Sequence, residues 1–568
     1  ACGSSMEQID RRVERVIGES ADTLGSDTIQ PRVRWNEESS ASIKASGFGE
    51  REWTNEHPAT LNPKAEDLRI PPGEEEASVE KRLEGYQLTP EGAIKLDLST
   101  ALMTAFSTSR EYRFAEEDYL LAALRLLMER HRWGPIFFAE VSANMNSVGD
   151  GGLYDSSLDL VSELSVTNRL PYGGQVSARA LANATEDLHE RVAGEDFESA
   201  DVLVQADIPL LRGAGTIARE DLIQDERNLI YAARTFERFR REFCNDIVRD
   251  FLNLVVQQKF IENSKVRVES LMKVQEQEEA RYRVGRSARY QAALAEQSTL
   301  FARDTLNSEL EQYRLAVDRF KIRIGLSTET DVVILQSELG LATPGPLMDQ
   351  SVNAALQFRL DLQTTRDEVD DSKRALANAK NGLLPDLNLH ASAGLPTDND
   401  RRWWQSGFRP DDSDFHVGLT LDLPVDREIE RLQVRQAEIG LARSRRGYEQ
   451  LRDDVVVSVR SAVRDIDRAR YSLQIQEKNI DVAQQRVASL EAAPERAEVR
   501  DRNEAVEQLY EAKNQRDTAK RDLQLAILNY LLETGQLRVT TEGQVKMPRI
   551  ESSDAAATSP ASAPAGVP

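Results

Sequence analysis

The sequence predicts a mainly α protein with a transmembrane β-barrel, assembled from two duplicated halves that each set short strands beside very long helices. Three observations predict it. Two-faced segments of barrel-strand length recur along the chain. Helical periodicity runs unbroken for about 70 residues at a time. The order of these elements in the first half returns in the second.

The strands come first. Phe137, Ala139, Val141, Ala143 and Met145 alternate with Glu140, Ser142, Asn144 and Asn146. Val202, Val204, Ala206 and Ile208 oppose Gln205 and Asp207; Leu387, Leu389, Ala391 and Ala393 oppose Asn388, His390 and Ser392; Val417, Leu419, Leu421 and Leu423 oppose Thr420 and Asp422. Period two marks a strand with one apolar face. Each run is close to the roughly 9–11 residues with which a tilted barrel strand crosses a bilayer. Lipid would meet the apolar set and a watery lumen the polar set. Glu140, Asn144, Asp207, His390 and Asp422 are therefore the candidate lumen-facing residues. An ordinary half-buried sheet fits any single strand equally well. It fits the whole set less well, because no second layer is visible to cover every apolar face.

The helices follow. The first half reads as a helix over 90–133, strands, a long helix over 213–283 and a helix over 287–324. The second reads as a helix over 347–382, strands, a long helix over 426–492 and a helix over 497–534. A helix of about 70 residues is about 105 Å long, too long for a compact domain. Pro135 and Pro385 stand at matching helix-to-strand junctions, Pro209 and Pro424 at matching strand exits, and LAVDRFKIRIG (315–325) matches LAILNYLLETG (525–535). In the last helix Ala505, Leu509, Ala512, Ala519, Leu523, Ala526 and Tyr530 follow spacings of three and four, with Arg516 the polar exception. Small residues on such a seam allow close helix packing. A chain that is 30% charged and 6% aromatic suits rods that bury a narrow stripe and expose the rest. The expected divisions are an extended arm over 1–88, a first repeat over 89–325, a linker over 326–346, a second repeat over 347–540 and a disordered tail over 541–568.

Pro31, Pro58, Pro63, Pro71 and Pro72 interrupt the polar arm, which reads as extended. Its opening Ala1-Cys2-Gly3-Ser4-Ser5 resembles a bacterial lipoprotein processing site, so Cys2 is expected to carry lipid. Cys244, beside Phe243 and Ile247, reads as a buried free thiol. The formal net charge of -24 repels nucleic acid. The five histidines are scattered without metal-ligand spacing. No phosphate-binding loop or nucleophile elbow occurs. No catalytic residue, metal or cofactor is expected. Asp246, Asp250, Asp465 and Asp467 could ring a constriction, but a solvated helix face is the favoured interpretation.

Several motifs then carry a family resemblance over about 88–540. GLLPDLNLHASAG (382–394), ADIPLLRGAG (206–215), RYRVGRSARYQAALAEQ (281–297) and LYEAKN (509–514) together resemble the TolC family of outer-membrane efflux proteins. The resemblance implies a homotrimeric channel of a tripartite efflux or type I secretion system. Each protomer would give strands to one outer-membrane barrel in contact with lipid and helices to a periplasmic α-barrel. That tunnel would dock on a periplasmic adaptor (membrane fusion) protein linked to an inner-membrane pump. The tips of the helical hairpins are the expected adaptor contacts: Tyr282, Val284, Gly285, Arg286 and Ser287, with Pro494, Glu495, Ala497 and Val499. The alternative is a periplasm-spanning coiled-coil lipoprotein without a pore. The sequence departs from the pattern twice. Pro494-Glu495 stands where the family often has glycine. An extra hairpin also appears, with strands near 158–167 and 175–182 around Pro171-Tyr172-Gly173-Gly174. The family's protomer gives four strands, so the hairpin either widens the barrel or rises above the membrane; the match to a twelve-helix tunnel favours the second.

Overall fold

The computed structural model describes residues 6–24, 93–150, 153–187, 197–336, 348–396, 413–492, 498–539 and 545–546. In chain order the helices are α1 (Met6–Leu24), α2 (Leu98–Thr108), α3 (Arg110–Arg132), α4 (Glu220–Arg283), α5 (Arg289–Ile324), α6 (Met348–Phe358), α7 (Leu360–Asn381), α8 (Glu428–Ala492) and α9 (Val499–Glu533). The strands are β1 (Ile94–Leu96), β2 (Ile136–Asp150), β3 (Leu153–Arg169), β4 (Gln175–Asp187), β5 (Phe197–Pro209), β6 (Val332–Ile334), β7 (Asp386–Pro396), β8 (Asp414–Asp422), β9 (Arg538–Val539) and β10 (Val545–Lys546). The two halves carry the same succession. Helices α2 and α3, of 11 and 23 residues, answer to α6 and α7, of 11 and 22. Helices α4 and α5, of 64 and 36 residues, answer to α8 and α9, of 65 and 35.

The chain divides into two units. One contains Glu117–Thr235 and Asp361–Leu451 together with α1. It holds a six-stranded antiparallel sheet in the order β2-β3-β4-β5-β7-β8. Below the strands, Gly213 N donates to Asn381 Oδ1 at 2.8 Å and Arg427 Nη1 to the Leu383 carbonyl at 3.0 Å. Arg234 meets Asp367 at 2.7 Å, and the Tyr231 hydroxyl donates to Asp371 at 2.6 Å. These bonds tie the start of α4 to α7.

The other unit contains 236–360 and 452–539, with 93–116. Its interior follows the small-residue seam. Ala505, Ala512, Ala519 and Tyr530 are buried, and towards the end of α9 the stripe includes Ile527 and Leu528. Val274, Ala295 and Val499 form one apolar cluster; Leu271, Ala302 and Val506 form the next. Rings of Phe106, Tyr112, Phe236, Phe239 and Phe243 pack together at centroid distances of 5.2 to 6.4 Å, most of them tilted. Next to them Cys244 is fully buried, and burial pushes its thiol up to about 12. Arg240, also buried, donates to both Glu237 oxygens at 2.8 and 3.0 Å and to the Val539 carbonyl at 2.9 Å.

Four expectations need correction. The helices expected over 90–133 and 347–382 are each two helices, broken at Ser109 and Arg359. The return helix of each half is the cause. Gly325, at φ +82°, packs so closely on the first break that a Cβ there would lie 2.3 Å from the Thr108 carbonyl oxygen. Gly535, at φ +69°, packs on the second, 3.0 Å from Phe358. Thr108 Oγ1 donates to the Ile324 carbonyl at 2.6 Å, and Arg359 meets Glu533 at 2.6 Å. Residues 6–24 are helical rather than part of an extended arm, because Val13, Val16, Ile17 and Ser20 share one buried stripe at helical spacing. The linker is pinned at 332–334, where a Val-Val-Ile run of high strand propensity pairs in parallel with β1. The tail is likewise structured at 545–546, where β10 pairs antiparallel with β9.

The Gly325→Val variant forces a β-branched residue into left-handed backbone against Thr108. It should lower unfolding stability by more than about 2 kcal/mol in denaturant titration. Gly440→Ala, in open space within α8, should leave stability level or slightly higher.

Candidate functional site

Cross-strand register sorts the sheet residues onto two continuous faces. Phe137 lies opposite Val166, Ala139 opposite Leu164, Ala178 opposite Val204, Ala206 opposite Ala391 and Leu389 opposite Leu419. Apolar thus meets apolar from one edge of the sheet to the other. This face lies open to solvent. Phe137 and Val141 on β2 are 73% and 72% exposed, and Phe415 and Val417 on β8 are 77% and 73% exposed. Contiguous exposed apolar patches of this kind mark interaction surfaces. The edge strands β2 and β8 also have no neighbour on their outer sides among the described residues.

The opposite face is polar and predominantly acidic. Glu140, Asn144, Asp207, His390 and Asp422 all lie on it, as the register requires: Glu140 is paired with Glu163, Asp207 with His390 and Asp386 with Asp422. His390 Nδ1 approaches Asp207 Oδ1 at 3.3 Å. Arg179 Nε meets Glu163 at 2.9 Å. Glu163 and Arg179 therefore belong to the same candidate wall. Their alternation was visible in the sequence, but only the pairing of β3 with β2 and of β4 with β3 places them on the same face as Glu140. Near the helices, Glu129 is buried. It accepts from Trp133 Nε1 at 3.2 Å and from Arg132 at 3.0 Å, and Arg169 of β3 lies 3.8 Å away.

The far end of the α4–α5 hairpin is the second candidate surface. Gly285 takes φ +73°, the left-handed conformation that closes a helix, with its N–H on the Tyr282 carbonyl and the Arg286 N–H on the Arg281 carbonyl. Tyr282, Val284, Gly285 and Arg286 are exposed. Tyr290 on α5 is 70% exposed as well; nothing in its surroundings in the sequence distinguished it from a solvated helix face. Beneath them, buried Glu278 accepts from Ser287 Oγ at 3.1 Å and pairs with Arg281 at 2.9 Å and with Arg502 at 3.2 Å. Arg502 Nη2 also donates to Gln277. One carboxylate thus joins the first-half turn to the start of α9. Val499 departs from expectation. It is 3% exposed and packs on Val274 and Ala295, so its side chain lies in the helix seam beneath the tip surface. An apolar residue at the first turn of α9 is drawn into the seam that the facing helices leave open. Pro494, Glu495 and Ala497 lie outside the described residues, as does Cys2.

The acidic residues considered for a constriction are engaged in ion pairs. Arg323 bridges Asp250 at 2.6 Å and Asp246 at 3.1 Å; Arg468 meets Asp465 at 3.0 Å and Arg470 meets Asp467 at 3.8 Å. No helix among the described residues is long and apolar enough to cross a membrane.

Residues 351–529 match the family model of the outer membrane efflux protein. Over 77% of the chain the fold is similar to solved outer-membrane channels. The outer-membrane channel OprN is 14% identical, with 77% of this chain and 89% of that chain covered at a TM-score of 0.59. The outer membrane protein VceC from Vibrio cholerae is 13% identical, with 77% and 96% covered at 0.57. The open state of the MtrE channel from Neisseria gonorrhoeae is 12% identical, with 77% and 88% covered at 0.56. No curated protein matches the chain.

Removing the Arg502 guanidinium leaves the buried Glu278 carboxylate with one partner fewer. Arg502→Ala should raise hydrogen–deuterium exchange of the 283–291 amides about tenfold, the equivalent of about 1.4 kcal/mol. Exchange at the β1–β6 pair should stay unchanged.

Proposed function

We propose that this member of the outer membrane efflux protein family, a family of channels and not of enzymes, conducts solutes through the outer membrane as a homotrimer. The observation that carries the proposal is the uncovered two-faced sheet. Phe137, Val141, Phe415 and Val417 suit hydrocarbon, while Glu140, Asp207, His390 and Asp422 suit water. In a bilayer every backbone polar group must find a partner, so a sheet with two open edges is stable only as part of a closed ring. The first and last strands of one copy run in opposite directions, so β8 of one copy can pair antiparallel with β2 of the next.

The long helices would prolong the wall into the periplasm. There the α4–α5 turn, with Tyr282, Val284, Gly285, Arg286 and Ser287, would meet a periplasmic adaptor protein joined to an inner-membrane pump. The Pro494–Ala497 turn is assigned the same role on sequence grounds. Conduction is then passive, and the pump supplies the energy. The Ala-Cys-Gly-Ser surroundings of Cys2 support a lipid anchor at that residue.

Purified protein in planar bilayers should give discrete conductance steps, where a periplasm-spanning scaffold without a pore gives none. A Cβ at Gly285 meets nothing within 4 Å, so Gly285→Val disturbs only the backbone of the turn, by about 1–3 kcal/mol. Export in cells should fall to background while the trimer remains on native gels; unchanged export would remove this turn from the docking surface.

A further inference from the structure

We infer that the outer-membrane wall of this channel is an eighteen-strand barrel in which the β3–β4 hairpin is a full stave, giving an exit wide enough for bulky cargo. The inference rests on the channel reading above and concerns how many strands close the ring. Three copies of the six-strand sheet supply the eighteen.

Four features place the hairpin in the wall. Strand β3 pairs with β2 along the whole of β2, from Ile136 opposite Thr167 to Asp150 opposite Leu153, and β4 continues the ladder to β5 from Gln175 to Thr185. Both faces run through it without a break: Leu164, Ala180 and Val202 lie in one apolar row, as do Val166, Ala178 and Val204. A hairpin standing above the membrane would need neither the pairing nor the two-faced pattern.

The turn between the strands supplies the third feature. It lies at the helix end of the sheet, and it is fitted there. A Cβ on Gly174, at φ +84°, would lie 2.1 Å from the Asp207 carbonyl oxygen and 2.8 Å from Ile208 Cα. One on Gly173 would lie 2.9 Å from the Gly213 carbonyl oxygen. Gly215 N donates to the Tyr172 carbonyl at 2.8 Å. Two consecutive glycines let the turn press against the exit of β5. Two more strands therefore enter the wall without two more helices beneath them, and the objection that a wider barrel cannot sit on twelve helices is removed.

The fourth feature is parity. The hairpin adds one strand up and one down, so the sheet edges stay antiparallel and closure with the next copy is preserved, as an even strand number requires. For the same reason the hairpin can be deleted without disturbing its neighbours. Register runs from Glu140 through Glu163 and Leu181 to Asp201, so without β3 and β4 the polar Glu140 would still face the polar Asp201. With strands about 4.8 Å apart and tilted about 40°, eighteen make a ring about 36 Å across, against about 24 Å for twelve. Inward side chains occupy about 5 Å on each side. The exit is then no sieve, and selection falls to the helical end.

Spin labels measure the ring directly. Gln205 is an exposed polar-face residue of β5, and Cys244 stays unlabelled because it is buried out of the reagent's reach. In trimers of Gln205→Cys the inward-pointing labels, carried on backbone about 30 Å apart, should be about 22 Å apart, and deletion of 153–187 should shorten this to about 12 Å. A native label distance of about 12 Å, in protein that conducts in planar bilayers, overturns the eighteen-strand wall while leaving the channel intact. Absence of both conductance and dipolar coupling sinks the channel itself. Should the deletion variant fail to assemble, the native distance decides alone.

Discussion

A β-sheet that is bare on both faces and open at both edges has to find its missing partners outside its own chain, and this requirement governs everything else in the molecule. Among the described residues, the outer edges of β2 and β8 have no strand neighbour, and nothing covers the side chains of Phe137, Val141, Phe415 and Val417. Hydrocarbon satisfies the side chains; only another strand satisfies the backbone. The proposed ring of copies follows from meeting both demands together. The same demands explain why the polar set of each strand is retained: a face lined by Glu140, Glu163, Asp207 and His390 is tolerable only where water reaches it.

The helical unit solves a different problem. Long helices with a narrow apolar stripe cannot build a thick core, so they pack through alanine and seal the remaining polar positions with ion pairs. Glu237 with Arg240, Asp250 with Arg323 and Glu278 with Arg502 are examples. The pair Glu278 with Arg502, buried and shared between α4 and α9, favours one register of the two helices, since a shifted helix would strand a charge. The duplicated glycines act in the same way. Gly325 and Gly535 let the end of each return helix enter a gap between two shorter helices, where any side chain would collide with backbone. A repeat unit that ends in such a notch cannot slide along its neighbour. The buried Glu278 network holds the one described turn at the far end in a defined shape, which is what a docking surface needs.

Much of this was legible in the linear sequence. Period-two alternation identified all six strands and that Glu140, Asn144, Asp207, His390 and Asp422 share one polar face, because a strand's side-chain geometry is local. Spacings of three and four located the seam through Ala505, Ala512 and Ala519 for the same reason. The matching prolines and the Gly325/Gly535 pair marked two halves of like construction. Less was visible at 109 and 359, where nothing in the residues themselves stops a helix, and at α1, whose stripe was overshadowed by the prolines that follow it. Val499 looked like an exposed tip residue only because its neighbours in space, Val274 and Ala295, are far away in the chain.

The sequence alone determined the kind of each element and which side of it prefers water, since both depend on residues a few positions apart. Tertiary structure decided which strand lies beside which, and therefore that Glu163 and Arg179 stand in the same wall as Glu140 and that β3 and β4 belong to the sheet. Alternation is the same for a strand in any partner's company, whereas the order of strands depends on contacts such as Gly174 against Asp207 and Ile208, which form only when distant segments meet.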